Sequence, residues 1–436
     1  MSPTTILPPA TLGMLGGGPI NLEVAAAGNT EVVRAKRRVA ASLGITDAIE
    51  DILITLTRQY HLIRPLESNP VLFLYVIMDR TKANLAMSRH ELKAFDERLL
   101  EGLTAFCAGL GEKPFRAQQV YEWLWKKSAR SFDEMTNLSV DLRQKLQQSF
   151  ALRPVVEHNK QISQDGTIKS GFKLHDGHLI EGVLIPADDR MTACVSSQVG
   201  CSLTCKFCAT GKLDRIRNLD ASEIYDQVVM IRNQAMSTYN TPLTNIVYMG
   251  MGEPLLNYAN MMRSVELITA DYGLGMAAKR ITVSTAGIGK MIRKLGDDEV
   301  RFNLALSLHA ANDNKRNQIM PINEHNSLNE LADALKYFYH KTESRVTFEY
   351  IVFNGFNDEI QDAKELAEFC KHVPCKVNLI EYNPIEAGGF QNAKEDKIEA
   401  FSRYLENRNI IVNIRRSRGK DIDAACGQLA NKGTKN

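Results

Sequence analysis

Three cysteines stand within one short stretch, Cys201-Ser-Leu-Thr-Cys205-Lys-Phe-Cys208. Thiolates at these spacings can hold a [4Fe-4S] cluster by three of its irons and leave the fourth open to a ligand that is not protein. An open iron accepts the amino and carboxylate groups of S-adenosylmethionine, from which an electron can then break the sulfonium bond. Zinc is the competing occupant, but it wants four closed ligands, and no second Cys-x-x-Cys or His-x-His completes the set. A cluster used only for electron transfer would want a fourth thiol nearby.

Other polar residues fall at the ends of apolar runs. In Gly250-Met-Gly252-Glu253-Pro254, glycines let the backbone approach a ligand closely, and Glu253 can bind the amino group of the cofactor's methionine. Ser284, Ser307, His309 and Asn383 end further runs, and polar ends converging on one mouth suit a polar cofactor. Cys194 lies in the first of these runs, while Cys426 sits in a tail between Gly419 and Gly427, where a mobile loop could carry it in and out. Cys107, Cys370 and Cys375 read as small buried hydrophobes. Arg415, Arg416, Arg418 and Lys420 would suit phosphates, or form a solvated basic face.

The elements that must position these groups follow from periodicity. Apolar runs at Thr192 to Val199, Asn245 to Met251, Arg280 to Thr285, Phe302 to Leu308, Arg345 to Phe353 and Lys376 to Tyr382 have the length of buried strands. Helical stretches separate them, near Ser222 to Met236, Tyr258 to Ala270, Gly289 to Leu295, Ser327 to His340 and Asp358 to Cys370. Strand and helix in alternation imply a parallel sheet with right-handed crossovers, curled into a partial barrel whose reactive groups sit at the carboxyl ends of its strands. A last strand, Ile410 to Arg415, leads to the tail. Before the barrel, two Asp-Gly turns at Asp165-Gly166 and Asp176-Gly177 predict a hairpin meander, with Glu181 on its last strand. From Arg89 to Phe150 the pattern is helical; Phe115, Val120, Trp123 and Leu124 fall near one face of a predicted helix, and Ser139 is the expected cap of another. A small helical domain with a basic edge and an RNA-binding module both fit this region. Met1 to Gly18 is expected to be disordered and Glu31 to Gln59 to form two short helices, with Met78 and Met87 as alternative starts. The chain thus divides into 1–86 (a poorly defined extension), 87–150 (helical accessory domain), 151–190 (meander), 191–418 (barrel) and 419–436 (tail).

Composition bounds the rest. With 436 residues and 44% apolar content the chain can bury a sizeable core. A net charge of +2 gives no global pull toward nucleic acid. The run Pro70 to Met78 is too short to span a bilayer, no amino-terminal signal peptide is evident, and eight cysteines, three of them clustered, argue for reduced thiols in a cytosol.

In order along the chain, Cys194-Val-Ser-Ser-Gln-Val-Gly-Cys201 through Cys208, Met251-Gly252-Glu253-Pro254-Leu-Leu-Asn257, Ser307-Leu-His309-Ala310 and Asp421-Ile-Asp423-Ala-Ala-Cys426-Gly427-Gln-Leu429 resemble the RlmN-type RNA adenine methyltransferases. The likeness runs from about Phe115 to Leu429 and leaves the first 86 residues uncovered. It implies an α/β fold: a radical S-adenosylmethionine partial (β/α)6 barrel, preceded by a helical accessory domain resembling a helix-hairpin-helix RNA binder. By resemblance Cys201, Cys205 and Cys208 hold the [4Fe-4S] cluster, and Gly252, Glu253, Ser284, Ser307, Leu308, His309 and Asn383 contact S-adenosylmethionine.

The resemblance also implies a mechanism. Cys426 is methylated by one S-adenosylmethionine; a second yields a radical that takes hydrogen from the S-methyl group. The resulting carbon radical adds to C2 of adenine and joins the RNA covalently to Cys426. Glu181 removes the C2 proton, and Cys194 attacks Cys426 to release product as a disulfide, which requires the two thiols to come within bonding reach. The implied substrates are an adenine near the peptidyl transferase centre of 23S rRNA and the adenine 3′ of the anticodon in certain tRNAs; the implied partners are a flavodoxin or ferredoxin donor and a thiol reductant. A cytoplasmic monomer without a membrane partner is expected. Two alternatives stay open: a Cfr-like enzyme acting at C8 of the same rRNA adenine, and a noncatalytic iron-sulfur RNA-binding protein.

Overall fold

The computed structural model describes residue 36 and residues 52–55, 59–65, 73–79, 99–386 and 388–431. The disorder expected of Met1 to Gly18, and Met87, lie outside the described residues. The chain divides into two compact units, Met1–Tyr121 and Glu122–Asn436.

In the first unit, strands β1 (Ile52–Thr55), β2 (Gln59–Pro65) and β3 (Phe73–Asp79) form a three-stranded antiparallel sheet. This corrects the expectation of two helices up to Gln59: Lys36 is helical, but Ile52–Thr55 is rich in β-branched residues and pairs residue by residue with β2. Helix α1 (Leu99–Gly109) follows, and α2 (Phe115–Trp125) has the bounds that periodicity predicts. Val120 and Tyr121 are buried on α2, whereas Phe115 is exposed, so the apolar face is narrower than expected.

The second unit opens with α3 (Val140–Ser149), where Ser139 is the N-cap and its hydroxyl accepts from the N–H of Leu142 at 3.2 Å. Strands β4 (Val156–Ile162), β5 (Ile168–Lys173) and β6 (Leu179–Ala187) make the antiparallel meander. Next come β7 (Arg190–Cys194), a small ladder of β8 (Gln198–Val199) with β9 (Arg217–Asn218), and then β10 (Asn245–Tyr248), β11 (Ile281–Thr285), β12 (Asn303–Ser307), β13 (Val346–Val352), β14 (Cys375–Glu381) and β15 (Ile411–Arg415). From β7 through β15 the strands of the main sheet run parallel, and the meander extends that same sheet, in a ten-stranded order β15-β14-β13-β12-β11-β10-β7-β6-β5-β4. The parallel α/β barrel sheet is therefore as expected.

The helices between the strands are α4 (Ala221–Tyr239), α5 (Tyr258–Thr269), α6 (Gly289–Asp297), α7 (Asp313–Ile319), α8 (Leu328–Thr342), α9 (Ile360–Cys370) and α10 (Glu395–Glu406). Capping boxes start α4 (Asp220 with Glu223) and α8 (Ser327 with Glu330), satisfying backbone N–H groups that no helical turn can reach. Strand β13 is buried along its whole length because helices and neighbouring strands cover both faces. Each fully buried side chain there, such as Phe348, stabilises the fold by roughly 1.5–3 kcal/mol. A separate apolar cluster, including Leu203, Phe207, Ile319, Met320, Phe353 and Tyr382, packs around Cys205.

Candidate active site

The three cysteines sit on the loop between β8 and β9, at the carboxyl end of the first barrel strand. That loop is tied at several points. Cys201 donates its N–H to the Leu213 carbonyl at 3.4 Å, Cys208 donates to Cys205 at 3.2 Å, and Lys206 donates to the Ile319 carbonyl at 3.0 Å. Gly200 enters the loop at φ +75°, in a place where a Cβ would lie 2.0 Å from the Asp214 carbonyl oxygen. Burial pushes all three thiols up, and for Cys205 the charges of Cys208 and Cys201 add to it, so the three sulfurs are electrostatic neighbours. Among the described residues no three His, Cys, Asp or Glu side chains converge as they would on one metal ion. A four-iron cluster makes no such demand, since each thiolate binds its own iron. Closely spaced thiols in an apolar wall, with nothing else to close a zinc site, fit the [4Fe-4S] group.

Beside them, Gly252 takes φ +92°, and a Cβ on it would lie 2.5 Å from the Gln198 side chain. The glycine lets the next residue turn inward: Glu253 donates its N–H to Gln198 Oε1 at 2.8 Å and is 3% exposed. Its carboxylate accepts from the N–H groups of Leu255 (3.1 Å) and Ala286 (2.8 Å). Burial outweighs these hydrogen bonds and pushes the carboxyl up to about 7. Because the folded form holds the proton more tightly than the unfolded chain, this contribution to stability is complete below about pH 4.5 and is lost as pH rises toward 7. A buried carboxylate with no ion-pair partner among the described residues fits an amino-group ligand. Affinity for S-adenosylmethionine is expected to rise about tenfold from pH 6 to pH 8 as the carboxyl ionises, measured by equilibrium binding to reconstituted protein. A profile that Glu253→Gln leaves unchanged would count against this role.

Ser284 and Ser307 end β11 and β12 side by side, their hydroxyls 3.4 Å apart. Leu308 and His309 then turn back, both donating N–H to the Glu349 carbonyl, at 3.0 and 3.3 Å. His309 adopts φ +54°, its Nδ1 accepts from the Ile351 N–H at 3.1 Å, and its ring lies edge-on to Phe207 with centroids 4.7 Å apart. Burial, then the Arg316 charge, lowers its pKa to about 3, so the imidazole is neutral with its proton on Nε2.

The tail lies over this mouth. Ala209, next to Cys208, donates its N–H to the Gly427 carbonyl at 2.7 Å, and the Thr210 hydroxyl donates to the Leu429 carbonyl at 2.6 Å. Asn383, expected to bind cofactor, donates from Nδ2 to the Cys426 carbonyl at 3.2 Å. The first Asp-Gly turn of the meander grips the other side of the tail: Ser163 and the N–H of Gln164 donate to Asp421 at 2.5 and 3.1 Å, and the Gly419 N–H donates to Asp165 at 2.8 Å. Cys426 is solvent-exposed, yet enough protein surrounds its sulfur for desolvation to raise its pKa, with Arg415 opposing. Cys194 is buried at the end of β7; burial, then the Cys426 thiol, pushes it up to about 12. Both cysteines are free thiols.

Glu181, 5% exposed on β6, lies two residues from Val183, which pairs with Cys194 across the ladder, so the carboxylate and the thiol leave the sheet on one face. Lys169 Nζ is 3.5 Å from Oε1 of Glu181, and Oε2 accepts from the tail N–H groups of Ala430 (2.8 Å) and Asn431 (3.1 Å). Of the four basic residues ahead of Cys426, three are paired inside the protein: Arg415 with Glu349, Arg416 with Glu381 and Glu395, and Lys420 with Glu381. Arg418 is exposed.

Sequence reasoning missed Ser196, Glu349 and Arg316. Ser196 donates its hydroxyl to the Glu181 carbonyl at 2.6 Å and accepts from the Met251 N–H at 2.8 Å, joining the meander to the cofactor loop. Glu349, within the apolar run of β13, is buried and accepts from Asn378 at 2.8 Å.

Comparison with known proteins decides the family. Residues 85–152 match the ribosomal RNA large subunit methyltransferase N-terminal domain, and residues 195–370 match the radical SAM superfamily. A probable dual-specificity RNA methyltransferase RlmN of Cytophaga hutchinsonii is 65% identical over 77% of this chain and 92% of its own length. This chain belongs to the RlmN family. The RlmN relative of Bacillus subtilis is 42% identical over 81% of this chain and 96% of its own. A crystal structure of a radical SAM methyltransferase from Sphaerobacter thermophilus superposes with a TM-score of 0.72 at 41% identity, covering 76% of this chain and 97% of that one. RlmN membership makes the chain a radical S-adenosylmethionine methyltransferase with a [4Fe-4S] cluster. No helix among the described residues is long and apolar enough to cross a membrane.

Proposed function

We propose that this enzyme methylates C2 of one adenine near the peptidyl transferase centre of 23S rRNA and of the adenine 3′ of the anticodon in tRNA. The observation that carries this reading is the placement of Cys426: the tail that bears it is hydrogen-bonded to the cluster loop through Gly427 and Leu429. When bound, the cluster supplies the electron that splits S-adenosylmethionine into a carbon radical able to take hydrogen from an S-methyl group.

The chain's own residues frame that chemistry. Cys201, Cys205 and Cys208 hold the cluster, and Gly252 and Glu253 receive the cofactor's amino group. Ser284, Ser307, Leu308 and His309 line the ends of adjacent strands, while Asn383 orients the Cys426 backbone. Cys426 gives up its proton and carries the methyl group as a thioether. After the methylene carbon has bonded to C2, Glu181 takes the C2 proton, and the odd electron left on the ring would return to the cluster, which splitting S-adenosylmethionine leaves one electron short. Cys194 then attacks the Cys426 sulfur, giving up its proton as it does so; the new S–S bond forms as the sulfur-carbon bond breaks, and the departing carbon takes up a proton to become the methyl group. A cellular thiol must reduce the disulfide before another cycle.

Residues 87–150 act as the RNA-binding accessory domain in this reading, supported by the family match over 85–152. Target adenines in loops enter the pocket at less cost than bases in a duplex. A flavodoxin or ferredoxin provides the electron, and the enzyme works as a cytoplasmic monomer. Nucleoside mass spectrometry of rRNA and tRNA from a deletion strain tests the assignment. Loss of 2-methyladenosine is expected; unchanged 2-methyladenosine with loss of 8-methyladenosine would move the enzyme to the Cfr-like activity.

A further inference from the structure

Arg316, on α7, is fully buried and has no carboxylate partner among the described residues. Its guanidinium donates only to neutral oxygens. Nε reaches the Leu308 carbonyl at 3.0 Å, Nη1 reaches Asn323 Oδ1 at 2.6 Å, and Nη2 reaches the carbonyls of Ala286 (2.5 Å) and Ser307 (3.2 Å). Asp313 on the same helix is turned elsewhere, its Oδ1 accepting from Asn323 at 2.8 Å and from the Leu328 N–H at 3.0 Å. Carbonyl dipoles satisfy the hydrogen bonds, and the negative groups that act on this costly buried cation, Cys205 first and then Asp313, do so through space without bonding to it.

The cluster loop packs against the helix that carries this cation. The carboxyl end of α7 accepts the Lys206 N–H through Ile319, and Ile319 packs in the apolar cluster that contains Cys205. Burial lowers the Arg316 pKa to about 10, with Cys205 as the largest opposing influence; the group remains a cation at neutral pH. Three thiolates outweigh the charge of a four-iron core, and reduction adds one more electron to a site that is already negative. Neighbouring charge is one of the levers by which a protein sets such a potential.

We propose that Arg316 is the fixed positive charge against which the cluster's thiolates are balanced, raising the potential at which the cluster accepts its electron and holding Cys205 in place. It is a positioning residue that acts through the cluster, and its role rests on Cys201, Cys205 and Cys208 being the cluster ligands. Its hydrogen bonds to the ends of β11 and β12 give it a mechanical role as well, and the test must separate the two.

Full-length wild type, Arg316→Met and Arg316→Lys are reconstituted anaerobically, assayed for iron, and titrated with reductant while electron paramagnetic resonance follows the reduced cluster. In Arg316→Met the ratio of reduced to oxidised cluster at a fixed solution potential is expected to fall about tenfold, which for one electron is about 59 mV. Arg316→Lys, which keeps the charge but not the planar fan of donors, is expected to load iron and titrate within about threefold of wild type, even if it melts earlier. Iron-loaded Arg316→Met titrating like wild type would overturn the proposal. So would a lysine variant that fails to load iron or shifts as far as the methionine variant, because a charge role predicts that lysine suffices. If methionine fails to load, lysine alone decides by the same criteria. A wild-type protein that takes up no cluster would instead remove the ligand assignment itself.

Discussion

Cys194→Ala is expected to leave the enzyme covalently joined to its RNA. Every earlier step in the proposed route uses other groups: Cys426 carries the methyl group, the cluster cysteines support the radical, and Glu181 takes the proton. Only the release step needs a second sulfur, and Cys194 is the buried thiol at which the charge of Cys426 is felt. Cys208 is also within electrostatic reach of Cys426, but as a cluster ligand it is not free to attack. Turnover should fall by at least about 10³-fold, the scale of losing a reacting nucleophile. Removing one buried sulfur costs on the order of 1 kcal/mol, so the fold should survive. Protein purified from cells should run on a denaturing gel with an attached, ribonuclease-sensitive RNA fragment, and mass spectrometry should place the bond at Cys426. RNA-free protein with normal methylation would sink the covalent route.

Cys426→Ala has the second large effect, and its signature is the opposite one. No adduct forms, because no sulfur is left to carry the methyl group, and 2-methyladenosine formation should fall by at least about 10³-fold. Iron content and cluster absorbance should match the wild type, since the residue is solvent-exposed and its substitution should change stability by no more than about 0.5 kcal/mol. A noncatalytic iron-sulfur RNA binder would show no such loss; methylation at the wild-type rate would therefore favour that alternative. The double variant Cys194→Ala/Cys426→Ala should resemble Cys426→Ala alone, because the release step has nothing to act upon.

Much of the barrel is legible in sequence because a parallel strand buried on both faces is a continuous apolar run. Val346–Val352, buried throughout and interrupted only by Thr347 and Glu349, announces itself in this way, as do the helices that carry capping residues, such as Ser327 before Leu328–Thr342. Arg316 is hidden for the converse reason. The helix Asp313–Ile319 (DNKRNQI) shows no apolar stripe, and arginine in such a polar run is ordinarily solvated; only the fold brings three strand-end carbonyls and Asn323 to its guanidinium. Glu349 is hidden inside an apolar run. The attachment of the meander to the barrel sheet depends on the pairing of β6 with β7, and the seat of the tail depends on Asp421 meeting Ser163. Contacts of that kind join distant parts of the chain, and local pattern carries no trace of them. The basic run from Arg415 to Lys420 misleads in the other direction, since carboxylates of the same unit claim Arg415, Arg416 and Lys420.

The grip of the tail on Glu181 bears on the order of events. With the tail seated, one oxygen of the carboxylate faces Lys169 and the other receives two backbone N–H groups. Both oxygens of the carboxylate are thus turned to partners within the protein rather than to a substrate carbon. On the proposed route Glu181 would reach the C2 proton once the N–H groups of Ala430 and Asn431 release it, and the same stretch of chain carries Cys426. With Cys426 as methyl carrier and Glu181 as base, as proposed, methyl loading and proton removal would be interlocked: the seated tail that holds Cys426 by the cluster loop also engages the base, and a tail movement toward RNA would disengage it. A single backbone segment would act as the enzyme's escapement, allowing one step of the cycle at a time.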